Sequence, residues 1–336
     1  MEKHGLNNEE LAEIRAALKK GSRYRVFDAA PLELDKNECR AISRDILSNM
    51  RINGQMDMEH EYVLRAIYIL GHATPNMVHD MLSWEKGCAG REMVPVLSVD
   101  KCKRVLSSLG RRGLVLSQQY RVDNHMVHIY TVTSYGFSLV RAVFGGSIPY
   151  DNFALYHSDK EIFKVLAVNA VTVEMAAVME GSGFLVNGRY GGLDKYPQVK
   201  EHVYGAVESD GVMYIMEPAY FIPDKKIESE LESVEKVGKR LLNVASICGT
   251  FVEKYQKKVR LMFVTENAEG SRQLIELLHG MDDVTGIYKD ALITCENLFY
   301  ASKGDLRRNF LRWTAKETDE KLQVRLMPVG DGWRKQ

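Results

Sequence analysis

SVDKCKRVLSSLGRRGLVLSQQYRVDNHMVHIYTVT, residues Ser98–Thr133, decides how the chain is read. Val99, Cys102, Val105, Leu106 and Leu109 recur at helical spacing and make one apolar stripe. Lys101, Lys103, Arg104 and Ser107 fall on the other faces. Gly110 and Gly113 bracket the exit, where a helix needs residues that tolerate positive φ. Leu114-Val115-Leu116 then begins a strand, a polar tip follows, and Val127–Val132 returns. The stretch predicts a basic helix followed by a two-stranded hairpin. Such a helix suits a duplex whose major groove accepts it.

Local charge supports the same partner. Lys101, Lys103, Arg104, Arg111, Arg112 and Arg121 stand against Asp100 alone. A solvated helix face can look the same, but here charge and hairpin coincide. The outline resembles a winged helix. In that arrangement Lys101, Lys103, Arg104 and Ser107 enter or clamp the major groove, and Arg111, Arg112 and Arg121 hold phosphates. His125, near the tip, is placed to touch a phosphate. The whole chain is less telling: 45 Lys and Arg balance 45 Asp and Glu, and the pI is about 7.1.

Length and composition set the frame. At 336 residues, 45% of them hydrophobic, the chain is expected to hold two domains with substantial cores. Its five cysteines are odd in number and form no CxxC pair, which argues against a disulfide framework or structural zinc. Residues 1–20 lack the apolar core of a signal peptide. The apolar run Ile162–Val186 is broken by Lys164, Glu174 and Glu180, so no membrane span is expected. The expectation is a soluble, cytoplasmic protein.

The pattern divides the chain at 1–57, 58–146, 150–300 and 301–336. Residues 1–57 read as a helical arm, with Asn8 capping Glu9–Lys20, Ala29–Leu32 extended and Asp35 capping Lys36–Met50. In 58–146, Tyr62–Leu70 is a helix closed by Gly71, Thr74 caps a second, and Glu85–Leu97 is a long loop. Tyr135–Phe144 closes that domain and is a candidate dimerisation helix, so a homodimer is one expected state. Gly145–Pro149 reads as the linker. Beyond it, Ser158 caps a long helix and Phe184–Val186 is a strand. His202–Val207 and Val212–Glu217 form a hairpin around Asp210-Gly211. Ile227–Tyr255 is a helix, with Leu231, Val234, Val237, Leu241 and Leu242 as its apolar positions. Val259–Val264 is a buried strand, Glu269–Met281 a helix, and Gly286–Leu298 carries a last strand. Residues 301–336 read as a basic, flexible tail.

The order helix, three strands, helix, strand, helix, strand resembles the restriction-endonuclease-like fold. The expected class is therefore α+β, an N-terminal winged helix-turn-helix followed by an α/β restriction-endonuclease-like domain. Nucleases of that fold hold magnesium on two carboxylates, and a Lys steadies charge on the phosphate. By resemblance Asp210 and Glu217 would be the metal ligands and Glu161 or Glu174 the helix acid. Glu217-Pro218-Ala219 has Ala where the family has Lys, so Lys236 or Lys239 would have to take that role.

The combination also resembles the replication-relaxation family of plasmid and conjugative-element proteins. The residues that carry this are Leu106–Val115, Asp210-Gly211 through Glu217, and Val259–Asn267. The resemblance implies a bacterial DNA-binding accessory factor in replication or transfer of a mobile element, contacting double-stranded DNA and a replication or conjugation protein. A magnesium-dependent nuclease or nickase and a winged-helix transcriptional repressor remain alternatives. Other constellations read as structural. Gly181–Gly183 and Gly188–Gly192 lack the context of a nucleotide loop. His72, His79, His125 and His128 have no carboxylate or Cys at ligand spacing. Ser246–Gly249 lies in an apolar helical pattern, where Cys248 reads as core.

Overall fold

The computed structural model describes residues 5–20, 44–88, 91–122, 125–145, 157–179, 183–186, 196–199, 201–222, 229–281, 288–302, 305–317 and 322–331. They fall into two compact units. Described residues 44–145 and 157–158 form a hairpin unit, and 5–20 together with those from 159 onward form a sheet unit. The class is α+β with a mixed sheet. The expected extended segment at Ala29–Leu32, the cap at Asp35 and both glycine-rich runs lie outside the described residues, apart from Gly183.

The hairpin unit runs α2 (Arg44–Ile52), α3 (Met58–Leu70), β1 (His72–Ala73), α4 (Pro75–Gly87), α5 (Val99–Arg111), β2 (Val115–Val122), β3 (His125–Val132) and α6 (Ser134–Phe144). Each start has a local cause. The Asp57, Thr74, Ser98 and Thr133 side chains accept from backbone N–H groups of the first turns of α3, α4, α5 and α6. Gly71 ends α3 at φ 70° and Gly113 follows α5 at φ 68°. Gly110, expected at a positive φ, instead lies inside α5. Strand β1 pairs with β3, and β3 with β2, in a three-stranded antiparallel sheet of order β1-β3-β2. Tyr68 of α3 meets Phe137 of α6 at 5.6 Å between ring centroids. A Cβ at Gly136 would collide with the Leu114 carbonyl, which is why α6 can lie so close to the root of β2.

The sheet unit has seven strands in the order β10-β9-β8-β7-β6-β5-β4. Helix α7 (Asp159–Val178) precedes β4 (Gly183–Val186), β5 (Gly205–Ser209) and β6 (Val212–Ala219), an antiparallel meander. Asp210 at φ 50° and Gly211 at φ 78° supply the two positive-φ residues that a tight hairpin needs. Helices α8 (Glu230–Tyr255) and α9 (Ala268–Gly280) then cross over to β7 (Lys258–Thr265) and β8 (Leu292–Cys295), which run parallel to β6. Strand β7 is buried from Arg260 to Thr265, as expected of the apolar run Val259–Val264, and β6 beside it is buried throughout. Ala206, Met213, Ile215, Leu261 and Phe263 pack on α8 and α9. On the other face a Cβ at Gly205 would strike Val168 and Thr172, so α7 lies directly on the sheet there.

Several expectations are corrected. The N-terminal helix α1 (Asn8–Leu18) is capped by Asn7, not Asn8, through a capping box with Glu10. It is not part of an arm spanning 1–57. Leu6, Ile14 and Ala17 pack on Cys295, Leu298 and Leu311, in the sheet unit. Gly286–Leu298 carries strand β8, as expected, but it is not the last strand, and β8 passes directly into α10 (Glu296–Ala301). The expected flexible tail contains β9 (Leu311–Glu317) and β10 (Leu322–Pro328), a hairpin that extends the sheet from β8. Leu231 and Leu242, expected on the apolar face of α8, are exposed.

Candidate nucleic-acid interface

Helix α5 has two opposed faces. Cys102, Val105, Leu106 and Leu109 are buried, and burial pushes the Cys102 thiol up to about 11. Asp100, Lys103, Arg104, Ser107 and Arg111 are exposed at spacings of three and four, which places them on a single outward stripe. Arg112, exposed at the C-cap, adds a cation at the same end. The helix has 13 residues, so it is about 20 Å long. Asp100 partly offsets the stripe: Lys103 Nζ lies 3.1 Å from its carboxylate, and Arg104 Nε donates to its carbonyl at 3.4 Å. Lys101 does not belong to this stripe. It sits on the flank of α5, paired with Glu59 of α3 at 2.7 Å, because one residue of helix rotates the side chain by about 100°.

The segment before α5 is held by a buried carboxylate that the sequence reading missed. Glu85, at the end of α4, accepts two hydrogen bonds of 2.8 Å from Arg65 of α3 and one of 2.5 Å from Arg91. The long loop expected at Glu85–Leu97 thus begins later, after Gly87, and is pinned at its first turn. Val94 and Leu97 are buried, while Met93 and Val96 are exposed beside the start of α5.

The β2–β3 ribbon pairs eight residues, from Val115↔Val132 out to Val122↔His125. Its root is buried at Val115, Ile129, Tyr130 and Val132. His125 and Met126 are exposed near the tip. Arg121 lies on β2 opposite Met126; its side chain is outside the described residues.

A carboxylate, an imidazole and a hydroxyl also line up beside α5. Asp57 Oδ1 lies 2.6 Å from His60 Nδ1, and His60 Nε2 lies 3.3 Å from Ser108 Oγ. Burial raises the Asp57 carboxyl, but hydrogen bonds from the His60 backbone and ring, with the charges of His60 and Lys101, outweigh it and leave it lowered. The order resembles a nucleophile, base and orienting acid. Ser108 sits within α5, however, where backbone N–H groups are committed to the helix and cannot form an oxyanion hole. The arrangement ties α3 to α5.

In the sheet unit the expected metal pair, Asp210 and Glu217, does not converge. Asp210 is exposed in the β5–β6 turn and Glu217 lies seven residues along β6, roughly 23 Å away at strand rise. The two cannot share a metal ion. Nor is Glu217 an exposed strand end: it is buried and accepts from Arg240 of α8 at 2.7 and 2.8 Å. Burial pushes its carboxyl up while the Arg240 hydrogen bonds and charge pull it back. Neither Lys236 nor Lys239 is needed as a cation there, because Arg240, one turn further on, occupies the position. Its guanidinium also lies over the Tyr204 ring at 5.3 Å. The Tyr204 hydroxyl donates to Glu161, and Lys164 lies 3.4 Å from the same carboxylate. Glu161 and Glu217 therefore flank one Arg–Tyr pair, a structural network with its charges matched. Glu174, the other helix acid considered, lies on α7.

Two further carboxylates stand at the carboxyl ends of parallel strands, where open α/β sheets place ligands. Glu266, after β7, is buried and accepts from the Phe221 and Ile222 N–H groups at 2.9 and 3.2 Å. Glu296, after β8, accepts from the Tyr220 hydroxyl. Both fix the chain leaving β6. Among the described residues no group of three or more His, Cys, Asp and Glu is arranged to hold a metal ion. Cys248 is fully buried, and burial pushes its thiol up to about 12, far from a nucleophile's range. His72 bonds Thr131 at 2.6 Å and His157 at 2.9 Å; burial first, then the charge of His157, lowers it to about 3.

No described helix is long and apolar enough to cross a membrane. Compared with protein-family models, curated proteins and solved structures, the chain matches none.

Proposed function

We propose that the hairpin unit is a winged helix that binds double-stranded DNA, with α5 in the major groove and the β2–β3 ribbon as the wing. One observation carries this reading: the face of α5 opposite its buried stripe presents Lys103, Arg104 and Arg111, with Arg112 beside them. The order α3-β1-α4-α5-β2-β3 and the sheet order β1-β3-β2 support it, being those of a winged helix. Ser107, between the cations, is the candidate base-reading hydroxyl, and Arg121 and His125 reach phosphates from the ribbon. Lys101, paired with Glu59, steadies α5 instead.

The sheet unit supports a restriction-endonuclease-like fold through its α7-β4-β5-β6-α8-β7 order, but its chemistry favours a partner or DNA platform over a nuclease. The only acid of the expected pair that is buried is already held by Arg240. With the resemblance to replication-relaxation proteins, the reading is a non-catalytic accessory factor in replication or transfer of a mobile element.

The test is the salt dependence of binding to random duplex. Each phosphate contact contributes about 0.9 to the slope of log K against log salt, so Lys103→Ala with Arg104→Ala should flatten it by about 1.8. Ser107→Ala should leave the slope unchanged and relax preference at one base pair, costing about 1–3 kcal/mol there. An unchanged slope in the double variant would remove α5 from the interface.

A further inference from the structure

Helix α8 is 26 residues long, and one of its faces is left exposed among the described residues. Leu231, Leu242 and Val252 are exposed by 69%, 55% and 46%. At 100° per residue they share a stripe with Gly238, Ala245 and Gly249. Beyond a Cβ at Gly249 there is open space, and beside Gly238 the next atoms are those of Leu277 on α9. The stripe therefore alternates apolar projections with notches. Lys239 and Glu253, both exposed, lie along the same side of it.

We propose that this face is the two-fold contact of a homodimer, with α8 packed antiparallel on α8 of a second copy. A self-complementary patch is what an isologous contact requires. About an axis between Ala245 and Ser246, Leu242 falls opposite Gly249. Val252 falls over Gly238, and Lys239 beside Glu253, each within one residue, about 1.5 Å of axial offset. Antiparallel packing brings like flanks together, so the dimer contains two Lys239–Glu253 contacts related by the axis. A parallel arrangement would set Leu242 against Leu242 and put the Lys239–Glu253 flanks of the two copies on opposite sides, which costs both the notches and the charge match. From Leu231 to Val252 the strip is about 32 Å long and about 10 Å wide. Two such strips bury on the order of 600–700 Å², below the ~1,200 Å² of a stable interface, so the dimer is weak and reversible. The helix expected from sequence as the dimerisation element, α6, instead buries Phe137, Leu139 and Val140 within its own unit.

Sedimentation velocity of the full chain over a concentration series, without DNA, tests this independently of nucleic-acid binding. The expected result is a monomer–dimer equilibrium abolished by Leu242→Glu. Lys239→Glu should weaken dimerisation about fivefold, and adding Glu253→Lys should restore it. Leu242 is exposed in the single chain, so thermal melting should report an intact fold. If it does not, a short bismaleimide joining protomers of a Ser246→Cys variant gives a reading that leaves the stripe untouched. A monomer at every concentration with no cross-link, a dimer indifferent to Leu242→Glu, or a charge swap without rescue would each overturn the proposal.

Discussion

Arg240→Met isolates what holds the sheet unit together at its only buried ion pair between a strand and α8 among the described residues. Arg240 makes two hydrogen bonds to Glu217 and one to the His202 carbonyl. Met removes these and leaves a carboxylate buried in the row that Met213, Ile215 and Ala219 direct at α8. Breaking a buried pair on one side costs about 3–5 kcal/mol, a large share of the 5–15 kcal/mol of a typical domain. The pH dependence identifies the cause. Without Arg240, burial holds the Glu217 carboxyl above its unfolded value. The folded state then binds more protons than the unfolded state between the two, so stability falls as pH rises through that window and recovers on acidification. Removing both charges, with Glu217→Leu added, should restore most of the loss. Urea unfolding followed through Trp313, which packs on this core, measures all three proteins. A loss under about 1 kcal/mol, or one independent of pH, would refute the assignment of Glu217 as a charge held chiefly by Arg240.

Other substitutions test the hairpin unit. Glu85→Ala strips the shared acceptor from Arg65 and Arg91 and should cost about 2–4 kcal/mol in thermal or urea unfolding while loosening the segment before α5 in hydrogen exchange. Gly136→Ala drives a methyl into the Leu114 carbonyl and should destabilise by at least about 2 kcal/mol, whereas the same change at an open helix position stabilises by up to about 1 kcal/mol, read from the melting midpoint. His72 is neutral when folded, with its titration depressed to about 3 from an ordinary 6.5. The unfolded state therefore takes up the proton first, and stability is lost as pH falls through that interval, by about 2 kcal/mol at pH 5. His72→Gln should flatten that acid limb in a pH series of melts.

Much of the fold was legible where local chemistry is decisive. Thr74 and Gly71 bound their helices because caps and positive φ act within one turn. Asp210-Gly211 marked its hairpin for the same reason. The tail was misread because Arg312 and Lys316 of β9 and Arg325 of β10, all on exposed positions, look like a disordered charged segment until the pairing of the two strands is known. On α8, Leu231 and Leu242 were grouped with Val234, Val237 and Leu241 as one apolar set, because composition alone could not say which stripe meets the core. The stripe of Val237, Leu241, Val244 and Ile247 won that place. At the candidate interface, the spacing found Lys103, Arg104 and Arg111, whereas Glu59, which takes Lys101, lies on another helix. Glu85, Arg240, Glu266 and Glu296 were missed because a buried charge shows in sequence only through its partner. Glu266-Asn267 and Glu296-Asn297, each closing a strand, are the one trace that linear inspection could have caught.

The placement of α1 has a consequence for synthesis. Leu6, Ile14 and Ala17 find their partners only at Cys295, Leu298 and Leu311, and Arg308 meets Glu13 across nearly the full length of the polypeptide. The hairpin unit is thus an insertion within the other, and every contact it needs has emerged from the ribosome while the first helix still waits for its seat. A fragment beginning at Asp159 lacks that helix and leaves the Cys295–Leu311 surface bare. Joining the ends by circular permutation, with new termini opened after Gly145, would make those contacts local and should speed the slow step of folding.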